Sequence, residues 1–377
     1  MAVLQHYKTV EEMLAAEKPE HAVMCFCPSA FRAEAQRFVE GFPGDVHYAV
    51  KANPYPGVLH WLHEGGVKGF DVASIGEIAM VREQLGDVHC AFNHPVKSRQ
   101  DIDIAYTRFG VRDFVIDHEK ELAKLADVCR RDCTIEVRIA KANPDSEVDL
   151  NAKFGCDGQA AANLLRAAKA LGFEVAIAMH VGWQAKEPKA WAEAMAMAEG
   201  CATAADVTLK YANLGGGYPS VMMPKDRKLE DFFDVIKAAK SQYLKTTDLN
   251  CEPGSALVWK GAVTVAQVHL RKEDCVYIND GVYGSMAELK FTKAALPVVA
   301  FKPDGSRING NTKRLTVFGP TCDSVDTLPQ TLALPDSIDE GDYIAFGWMG
   351  AYSNAIRTGF NSLGELGYVT VDVFPHS

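Results

Sequence analysis

The sequence predicts an α/β protein that combines a TIM-like (β/α)8 barrel with a second, β-rich domain of the sandwich or barrel-like type. Apolar, strand-like runs alternate with amphipathic helical segments from about residue 22 to about residue 255, which is the pattern of βα units around parallel strands. From residue 256 onward, strands follow one another without helices between them. The predicted bounds are 27–257 for the barrel, and 1–26 together with 258–377 for the β-rich domain.

The first region contains nine apolar runs, each ending in turn-forming residues and most leading into a helical segment such as PGVLHWLHEG. In chain order they are VMCFCP, VHYAVKAN, GFDVAS, HCAFNHP, DFVIDH, IEVRIA, VAIAMHVG, LKYANLGGG and LNCEPG. Eight or nine such units favour a closed barrel, and a doubly wound open sheet is the weaker alternative. The later strands are GAVTVAQVHLRKEDCVYIND, RLTVFGP, GDYIAFGWM and ELGYVTVDVF.

Composition excludes several classes of function. The 377 residues are 48% hydrophobic and carry a net charge of −10, so the basic surface of a nucleic-acid-binding protein is not expected. The N-terminal segment MAVLQHYKTVEEMLAAEKPEH lacks the apolar core of a signal peptide, and no apolar stretch reaches the roughly 20 residues of a membrane span. Ten scattered cysteines without Cys-x-x-Cys spacing indicate reduced thiols and no metal site. We therefore expect a cytoplasmic protein with neither nucleic-acid nor membrane partners.

Unusual residues cluster at the carboxyl ends of the predicted strands. They are Lys51, Asp71, His94, Arg138, His180, Gly215–Gly217 and Glu252. Each has an ordinary structural explanation taken alone, since a strand-end lysine is usually solvated and a single histidine usually belongs to the core. In a barrel, however, all of these ends meet at the face where barrel enzymes place their active sites. Together they predict an active site.

The residue types point to one cofactor. Lys51 lies at the mouth of an apolar barrel, where desolvation lowers a lysine pKa and makes the amine a usable nucleophile for a carbonyl. The three glycines of NLGGGYPS let backbone N–H groups approach a phosphate. Glu252, in CEPGS, is suited to hold a proton on a pyridine nitrogen. A lysine, a phosphate cradle and a carboxylate are the groups that pyridoxal phosphate requires.

The chain resembles the pyridoxal phosphate-dependent ornithine, lysine, diaminopimelate and arginine decarboxylases of the alanine-racemase-like fold, and is closest to the ornithine decarboxylase branch. The motifs that carry the resemblance occur in family order over nearly the whole chain. They are YAVKANP, GFDVASIGEI, HVGWQ, NLGGGYP, EPG, DGVYGS, GPTCDSVD and GAYSNAIRTGFN. The resemblance implies decarboxylation of a basic L-amino acid, or of a modified diamino acid, to the corresponding amine, a reaction type of polyamine biosynthesis.

The family motifs also imply roles for individual residues. Lys51 would form the internal aldimine, His180 would stack on the cofactor ring, and Cys322 would protonate the carbanion at Cα. The other implied cofactor-binding residues are Asp71, Arg138, Gly215, Gly216, Gly217, Glu252, Gly254, Ser255 and Tyr352, and the implied substrate-binding residues are Phe291, Thr292 and Asp323. Because Cys322 and Asp323 come from the second subunit in this family, a homodimer with shared active sites is implied.

Three positions depart from the family pattern and leave alternatives open. Trp183 replaces the serine of HVGS, Ser255 replaces the arginine of EPGR, and Thr292 stands where an acidic residue is usual. Serine cannot provide arginine's bidentate, charged contact with a phosphate. An active decarboxylase with an altered substrate is favoured, with Glu288 as an alternative second acid. A non-catalytic homologue that acts by binding a partner is the other hypothesis, and a racemase is disfavoured because racemases lack GPTCDS.

Overall fold

The computed structural model describes residues 4–141, 143, 145–146, 153–220, 227–291 and 295–375. The strands of these residues are β1 (Gln5–Thr9), β2 (Ala22–Phe26), β3 (Asp45–Ala49), β4 (Gly69–Val72), β5 (His89–Phe92), β6 (Asp113–Ile116), β7 (Thr134–Ile139), β8 (Glu174–Met179), β9 (Tyr211–Asn213), β10 (Asp248–Cys251), β11 (Ala262–Lys272), β12 (Cys275–Ile278), β13 (Val298–Phe301), β14 (Thr312–Phe318), β15 (Leu332–Pro335), β16 (Tyr343–Phe346) and β17 (Leu366–Val373).

The helices lie mainly between the strands of the first region. They are α1 (Val10–Glu17), α2 (Pro28–Gly41), α3 (Pro56–Glu64), α4 (Ile75–Leu85), α5 (Arg99–Thr107), α6 (Glu119–Val128), α7 (Gly158–Ala170), α8 (Lys189–Ala205), α9 (Leu229–Gln242) and α10 (Ser255–Val258). Several begin where the sequence supplies an N-cap, because the side chains of Ser74, Ser98 and Asp157 each accept a hydrogen bond from the first turn of the following helix. Within the described part of the chain, no helix is both long enough and apolar enough to cross a membrane.

The chain divides into two compact units. The barrel unit comprises Glu34–Lys51 and Leu62–Leu257, and the mixed-sheet unit comprises Met1–Ala33, Ala52–Trp61 and Val258–Ser377. In the barrel unit, eight parallel strands close in the order β10-β3-β4-β5-β6-β7-β8-β9. The expected (β/α)8 barrel is therefore confirmed, and it brings the carboxyl ends of all eight strands to one face.

The mixed-sheet unit contains a nine-stranded sheet. Seven of its strands follow the order β1-β17-β2-β11-β12-β14-β15, and β16 pairs with both β11 and β13. Of the nine apolar runs, VMCFCP is the one that lies outside the barrel, since β2 pairs antiparallel with β11 and parallel with β17. All five residues of β2 are buried. A short, uniformly apolar run specifies a buried strand but not the sheet that accepts it.

Candidate active site

Lys51 follows β3 directly, in a single 3₁₀ turn formed by Val50–Ala52. Its Nζ lies 3.6 Å from Oδ2 of Asp71, the third residue of the neighbouring strand β4. The Asp71 side chain is 8% exposed, whereas that of Lys51 is 54% exposed. The barrel therefore presents the lysine amine to solvent at the carboxyl-end face, beside a buried carboxylate that stabilises the cation.

His180 is the first residue after β8. Burial, together with the positive charges of Arg138 and Lys51, lowers the pKa of this imidazole to about 3. The ring is therefore neutral, and its Nδ1 accepts a hydrogen bond of 3.1 Å from the backbone N–H of Gly182. With Nδ1 as the acceptor, the proton resides on Nε2. A neutral, oriented imidazole is suited to stack against a flat ring.

The glycine loop Gly215–Gly217 follows β9, and its backbone approaches its neighbours too closely for side chains. Gly215 has φ +64°, and a Cβ added there would lie 2.1 Å from the backbone oxygen of Met179. A Cβ at Gly216 would lie 2.8 Å from the Glu252 backbone oxygen and 3.4 Å from His180 Nε2. The loop thus lies directly beside His180 and Glu252, with no side chain of its own between its backbone and theirs.

Glu252 is the first residue after β10. Its Oε1 accepts a hydrogen bond of 2.6 Å from Asn213 Nδ2 and another from Asn93 Nδ2. Burial raises the pKa of this carboxyl well above its usual value, and the nearby carboxyls of Asp71 and Glu136 raise it further. A carboxyl group with a raised pKa can share a proton with a pyridine nitrogen, so Glu252 is suited to that position.

Arg138, in β7, adds a second positive charge to this face. Burial lowers the pKa of its guanidinium, while the charges of Glu252 and Asp71 oppose that shift. Its buried Nε has no hydrogen-bond partner among the described residues. Because buried donors are normally satisfied, this nitrogen is a candidate to bind a ligand. The barrel face therefore offers an amine, a neutral imidazole, a carboxylate, an available guanidinium donor and a glycine cradle, and these residues fit pyridoxal phosphate.

Other predicted residues of the barrel unit have plain structural positions. Gly254 and Ser255 lie at the start of α10, and Ser255 is buried. Trp183 is half-buried, and its Nε1 has no hydrogen-bond partner among the described residues. His94 lies two residues beyond β5, accepts a hydrogen bond from the backbone of Val96, and packs edge-on against the Phe154 ring. Local contacts thus account for His94.

The mixed-sheet unit holds the residues of the GPTCDSVD motif. Cys322 is exposed, and its backbone N–H donates a hydrogen bond of 3.2 Å to Asn361 Oδ1. Asp323 accepts a hydrogen bond of 2.6 Å from the Tyr283 hydroxyl and one of 2.9 Å from the Val325 backbone. These two bonds lower the pKa of Asp323, so this carboxylate is ionised at neutral pH.

Four further positions of this unit were singled out from the sequence. The Phe291 side chain is 66% exposed and follows the 3₁₀ turn Ala287–Lys290. Glu288, in that turn, is half-buried, and burial raises the pKa of its carboxyl to about 7. Tyr352 has φ +60°, and its backbone N–H donates a hydrogen bond of 2.7 Å to Ala52. Thr292 lies outside the described residues.

Three side chains on the barrel's interior were missed by the sequence interpretation. Asn93 and Asn213 hold Glu252, and Glu136 hydrogen-bonds to Asn213. Each had a signal: Glu136 is a charged residue inside the apolar strand TIEVRI, and the two asparagines occupy the ends of apolar runs. From the sequence alone, an asparagine at the end of a strand predicts only a turn.

Comparison with known proteins agrees with this geometry. Residues 29–259 match the family model described as "Pyridoxal-dependent decarboxylase, pyridoxal binding domain". The lysine/ornithine decarboxylase of Selenomonas ruminantium is 32% identical over 329 residues, which cover 84% of this chain and 80% of that protein. Antizyme inhibitor 2 of Xenopus laevis is 30% identical over 351 residues, covering 86% of this chain and 75% of that protein.

The whole fold is also shared with a solved enzyme structure. The arginine decarboxylase of Paramecium bursaria Chlorella virus, bound to agmatine, superposes with a TM-score of 0.88 at 26% identity, covering 96% of this chain and 99% of that one. The family model, the Selenomonas ruminantium relative and the solved structure all belong to decarboxylases. The chain therefore belongs to the family of pyridoxal phosphate-dependent decarboxylases that act on basic amino acids.

Proposed function

We propose that Lys51 binds pyridoxal phosphate covalently and that the surrounding barrel residues hold the cofactor during decarboxylation of a basic L-amino acid. When bound, this cofactor draws electrons from Cα of the substrate after the carboxylate leaves. The observation that carries the proposal is the convergence of Lys51, His180 and Glu252 with the glycine loop at one end of the barrel. The reaction belongs to the chemistry that produces polyamines.

Each barrel residue has a distinct task in this proposal. Glu252 would stabilise a proton at the pyridine nitrogen, and neutral His180 would pack against the ring without adding charge. Asp71 holds the Lys51 amine in place through its 3.6 Å contact. Arg138 would contribute a cationic donor, and Gly215, Gly216, Gly217, Gly254 and Ser255 would hold the phosphate. Tyr352 is proposed as a further phosphate ligand.

Borohydride reduction of the purified protein, followed by peptide mass mapping, tests the attachment site. We expect a pyridoxyl adduct on Lys51 and loss of that adduct in Lys51→Ala. Lys97 is the matched control: it is a second lysine of the barrel unit, is buried beside Glu121, and has a pKa lowered by burial to about 8. An adduct on Lys97, or on no lysine, would contradict the proposal.

We propose further that the active unit is a homodimer in which Cys322 and Asp323 complete the partner's site, with Cys322 delivering the proton to Cα. An exposed cysteine and an ionised aspartate in the mixed-sheet unit support this. Exposed apolar side chains accompany them in the same unit, as expected for a surface that a second copy covers. These side chains are Phe291, Val325, Ile356, Phe360 and Leu363.

Subunit mixing tests the shared site. Lys51→Ala and Cys322→Ala proteins are expected to be inactive alone, and mixing them should restore part of the activity because one site of each heterodimer would keep both groups. The control mixes Lys51→Ala with Asp71→Ala, since both changes lie in the barrel unit and should not complement each other. Activity that fails to return under conditions of subunit exchange would indicate self-contained sites.

Asp323 is proposed to bind the distal ammonium of the substrate, and Thr292 to replace a second acid. Ornithine should then be a poorer substrate than in relatives with two acids, and a longer or less charged tail should be preferred. The test compares kcat/KM for ornithine, lysine, arginine and diaminopimelate before and after Thr292→Asp. If ornithine is already best by a wide margin and Thr292→Asp leaves it unchanged, Glu288 becomes the better assignment for the second acid.

The similarity to antizyme inhibitor 2 favours a second candidate, a non-catalytic protein that acts by binding a partner. Trp183 and Ser255, at positions usually polar or cationic in the family motifs, are compatible with it. The retained Lys51, His180 and Glu252 favour the enzyme. An absorbance band of lysine-bound cofactor in the purified protein would decide for the enzyme.

A cytoplasmic location is also proposed, which the free thiols of all ten cysteines support.

A further inference from the structure

Glu136 is an acidic side chain in the barrel's interior that the proposed reaction does not use. It belongs to β7, two residues before Arg138, so both side chains point to the same face of the strand. Glu136 is completely buried. A fully buried acid is costly unless its polar atoms are all satisfied, and its contacts therefore indicate what it does.

Asn213 connects Glu136 to the residues proposed to hold the cofactor. Its Nδ2 donates hydrogen bonds of 2.6 Å to Glu136 Oε1 and 2.6 Å to Glu252 Oε1. Its Oδ1 accepts a hydrogen bond of 2.9 Å from the backbone N–H of Gly215. One amide group therefore links the carboxylate assigned to the pyridine nitrogen with the first glycine of the phosphate loop.

The other oxygen of Glu136 shows where its proton must be. The Tyr211 hydroxyl lies 3.1 Å from Glu136 Oε2 and 3.1 Å from Asp113 Oδ1. A hydroxyl has one proton to donate, so one of the two contacts requires a protonated acid that donates to the tyrosine oxygen. Asp113 faces His89, whose Nε2 lies 3.7 Å from its Oδ2, a suitable neighbour for an anion.

Glu136 is the better candidate for the protonated acid. Burial, together with the negative charges of Asp113 and Asp71, raises its pKa to about 8. With Glu136 neutral, every hydrogen bond has one donor and one acceptor. Glu136 donates to Tyr211, Tyr211 donates to Asp113, and Asn213 donates to the carbonyl oxygen of Glu136.

We propose that Glu136 acts as a neutral acid and is a positioning residue of the cofactor site, because it holds the Asn213 amide in the orientation that serves both Glu252 and Gly215. This inference rests on the cofactor roles proposed above for Glu252 and the glycine loop. A neutral Glu136 also avoids a second negative charge beside Glu252, which would otherwise oppose ionisation of that carboxyl.

The variants Glu136→Gln and Glu136→Leu distinguish positioning by a neutral side chain from a requirement for charge and from no role at the cofactor site. A glutamine keeps an oxygen to accept from Asn213 and an N–H to donate to Tyr211, whereas a leucine of similar size keeps neither. Apo-protein is titrated with pyridoxal phosphate, and the cofactor Kd is read from the absorbance of the lysine-bound form. We expect Glu136→Gln to stay within about twofold of the parent and Glu136→Leu to bind roughly tenfold more weakly.

Glu121→Gln is the matched control. Glu121 is also a buried glutamate of the barrel unit, but its Oε1 lies 3.2 Å from the Lys97 ammonium and forms a true ion pair. Removing that charge leaves the buried Lys97 ammonium with only the carbonyl oxygens of His94 and Val115 as partners, so we expect a lower melting temperature of the apo-protein with an unchanged cofactor Kd. Glu136→Gln should instead preserve both quantities, because it replaces a neutral group by a neutral group.

Two results would overturn the inference. If Glu136→Gln weakens cofactor binding as much as Glu136→Leu, the charge or the mobile proton of Glu136 is required. If Glu136→Leu folds and leaves the cofactor Kd unchanged, the residue does not position the site. Should Glu136→Leu fail to fold, Glu136→Asp replaces it, since its shorter side chain cannot reach Asn213. A parent protein that shows no Lys51 adduct would refute the proposed function instead, so the two failures are distinguishable.

Discussion

In the barrel unit, Glu252 is held by the side-chain amides of Asn93 and Asn213, and Asn213 is itself held by Glu136 and Gly215. In the mixed-sheet unit, Asp323 is held by one tyrosine hydroxyl and one backbone N–H. The pKa of Glu252 is raised by burial, whereas that of Asp323 is lowered by hydrogen bonds at the surface. One unit thus builds its site through an interior network, and the other displays its groups on an exposed loop.

This difference indicates how the two regions contribute to function. Groups fixed by an interior network are pre-organised before any ligand arrives, so changing them should alter the chemistry at the cofactor. Asp323, the charged group on the exposed loop, keeps its charge, so changing it should alter substrate recognition and leave stability unaffected. The following predictions test that contrast, beginning with the largest effect.

Glu252→Gln should produce the largest loss. The amide keeps an oxygen that accepts from Asn93 and Asn213, but it carries no negative charge to stabilise a protonated pyridine nitrogen. We expect kcat to fall by about 10²–10³-fold, with no drop in the melting temperature of the apo-protein. Steady-state kinetics and thermal denaturation measure both. Near-normal kcat in this variant would show that the interior network serves folding alone.

Asp323→Asn should affect the substrate more than the catalytic step. A carboxylate that pairs with a distal ammonium contributes roughly 1.5–3 kcal/mol through charge-assisted hydrogen bonds, so kcat/KM for a basic amino acid should fall about tenfold to a hundredfold. Most of the change should appear in KM. The spectrum of the lysine-bound cofactor should not change, and a shifted spectrum would mean that Asp323 influences the cofactor directly.

Tyr283→Phe should give a smaller effect in the same direction. Its hydroxyl donates 2.6 Å to Asp323 Oδ2, and removing it raises the pKa of Asp323 toward the usual value, still well below neutral pH. The carboxylate therefore stays charged and loses only its orientation. We expect KM to rise roughly two- to fivefold, with kcat unchanged. Tyr277→Phe is the control, because Tyr277 packs on Phe318 elsewhere in the same unit.

The smallest effect concerns acid stability of the barrel. His47 is buried beside the His89 ring, and burial lowers its pKa to about 3. The unfolded chain takes up a proton near pH 6.5 that the folded chain resists until about pH 3, so stability is lost as the pH falls through this window. Between pH 7.5 and 5, His47 should contribute about 2 kcal/mol of that loss.

Urea unfolding at the two pH values measures the contribution of His47. The His47→Leu variant should lose less stability on acidification than the parent, although His180, whose pKa is lowered in the same direction, still contributes to the remaining loss. Asp323→Asn should leave the pH dependence between these two values unchanged, because the lowered pKa of Asp323 keeps this carboxylate ionised throughout the window. If His47→Leu and the parent lose equal stability between pH 7.5 and 5, groups other than His47 cause that loss.

Much of the site follows from the sequence because parallel βα units have a fixed direction. Once the alternating pattern identifies strands, Lys51, His180, the glycine loop and Glu252 must meet at their carboxyl ends, whatever the details of packing. The charge balance and the lack of long apolar stretches in the sequence likewise predicted neither nucleic-acid nor membrane partners. The order of the motifs added the family, and with it the expected cofactor and the roles of Cys322 and Asp323.

Tertiary structure decided which polar side chains share protons. Periodicity shows that Glu136 lies on one face of a strand. It does not show that Asn213, 77 residues later along the chain, donates a hydrogen bond to it, or that the Tyr211 hydroxyl lies between two acids. The pairing of β2 is a similar case, because the apolar residues of this strand do not show that its partners are β11 and β17. Hydrogen bonding and burial depend on neighbours distant in sequence, and those neighbours are set only when the chain has folded.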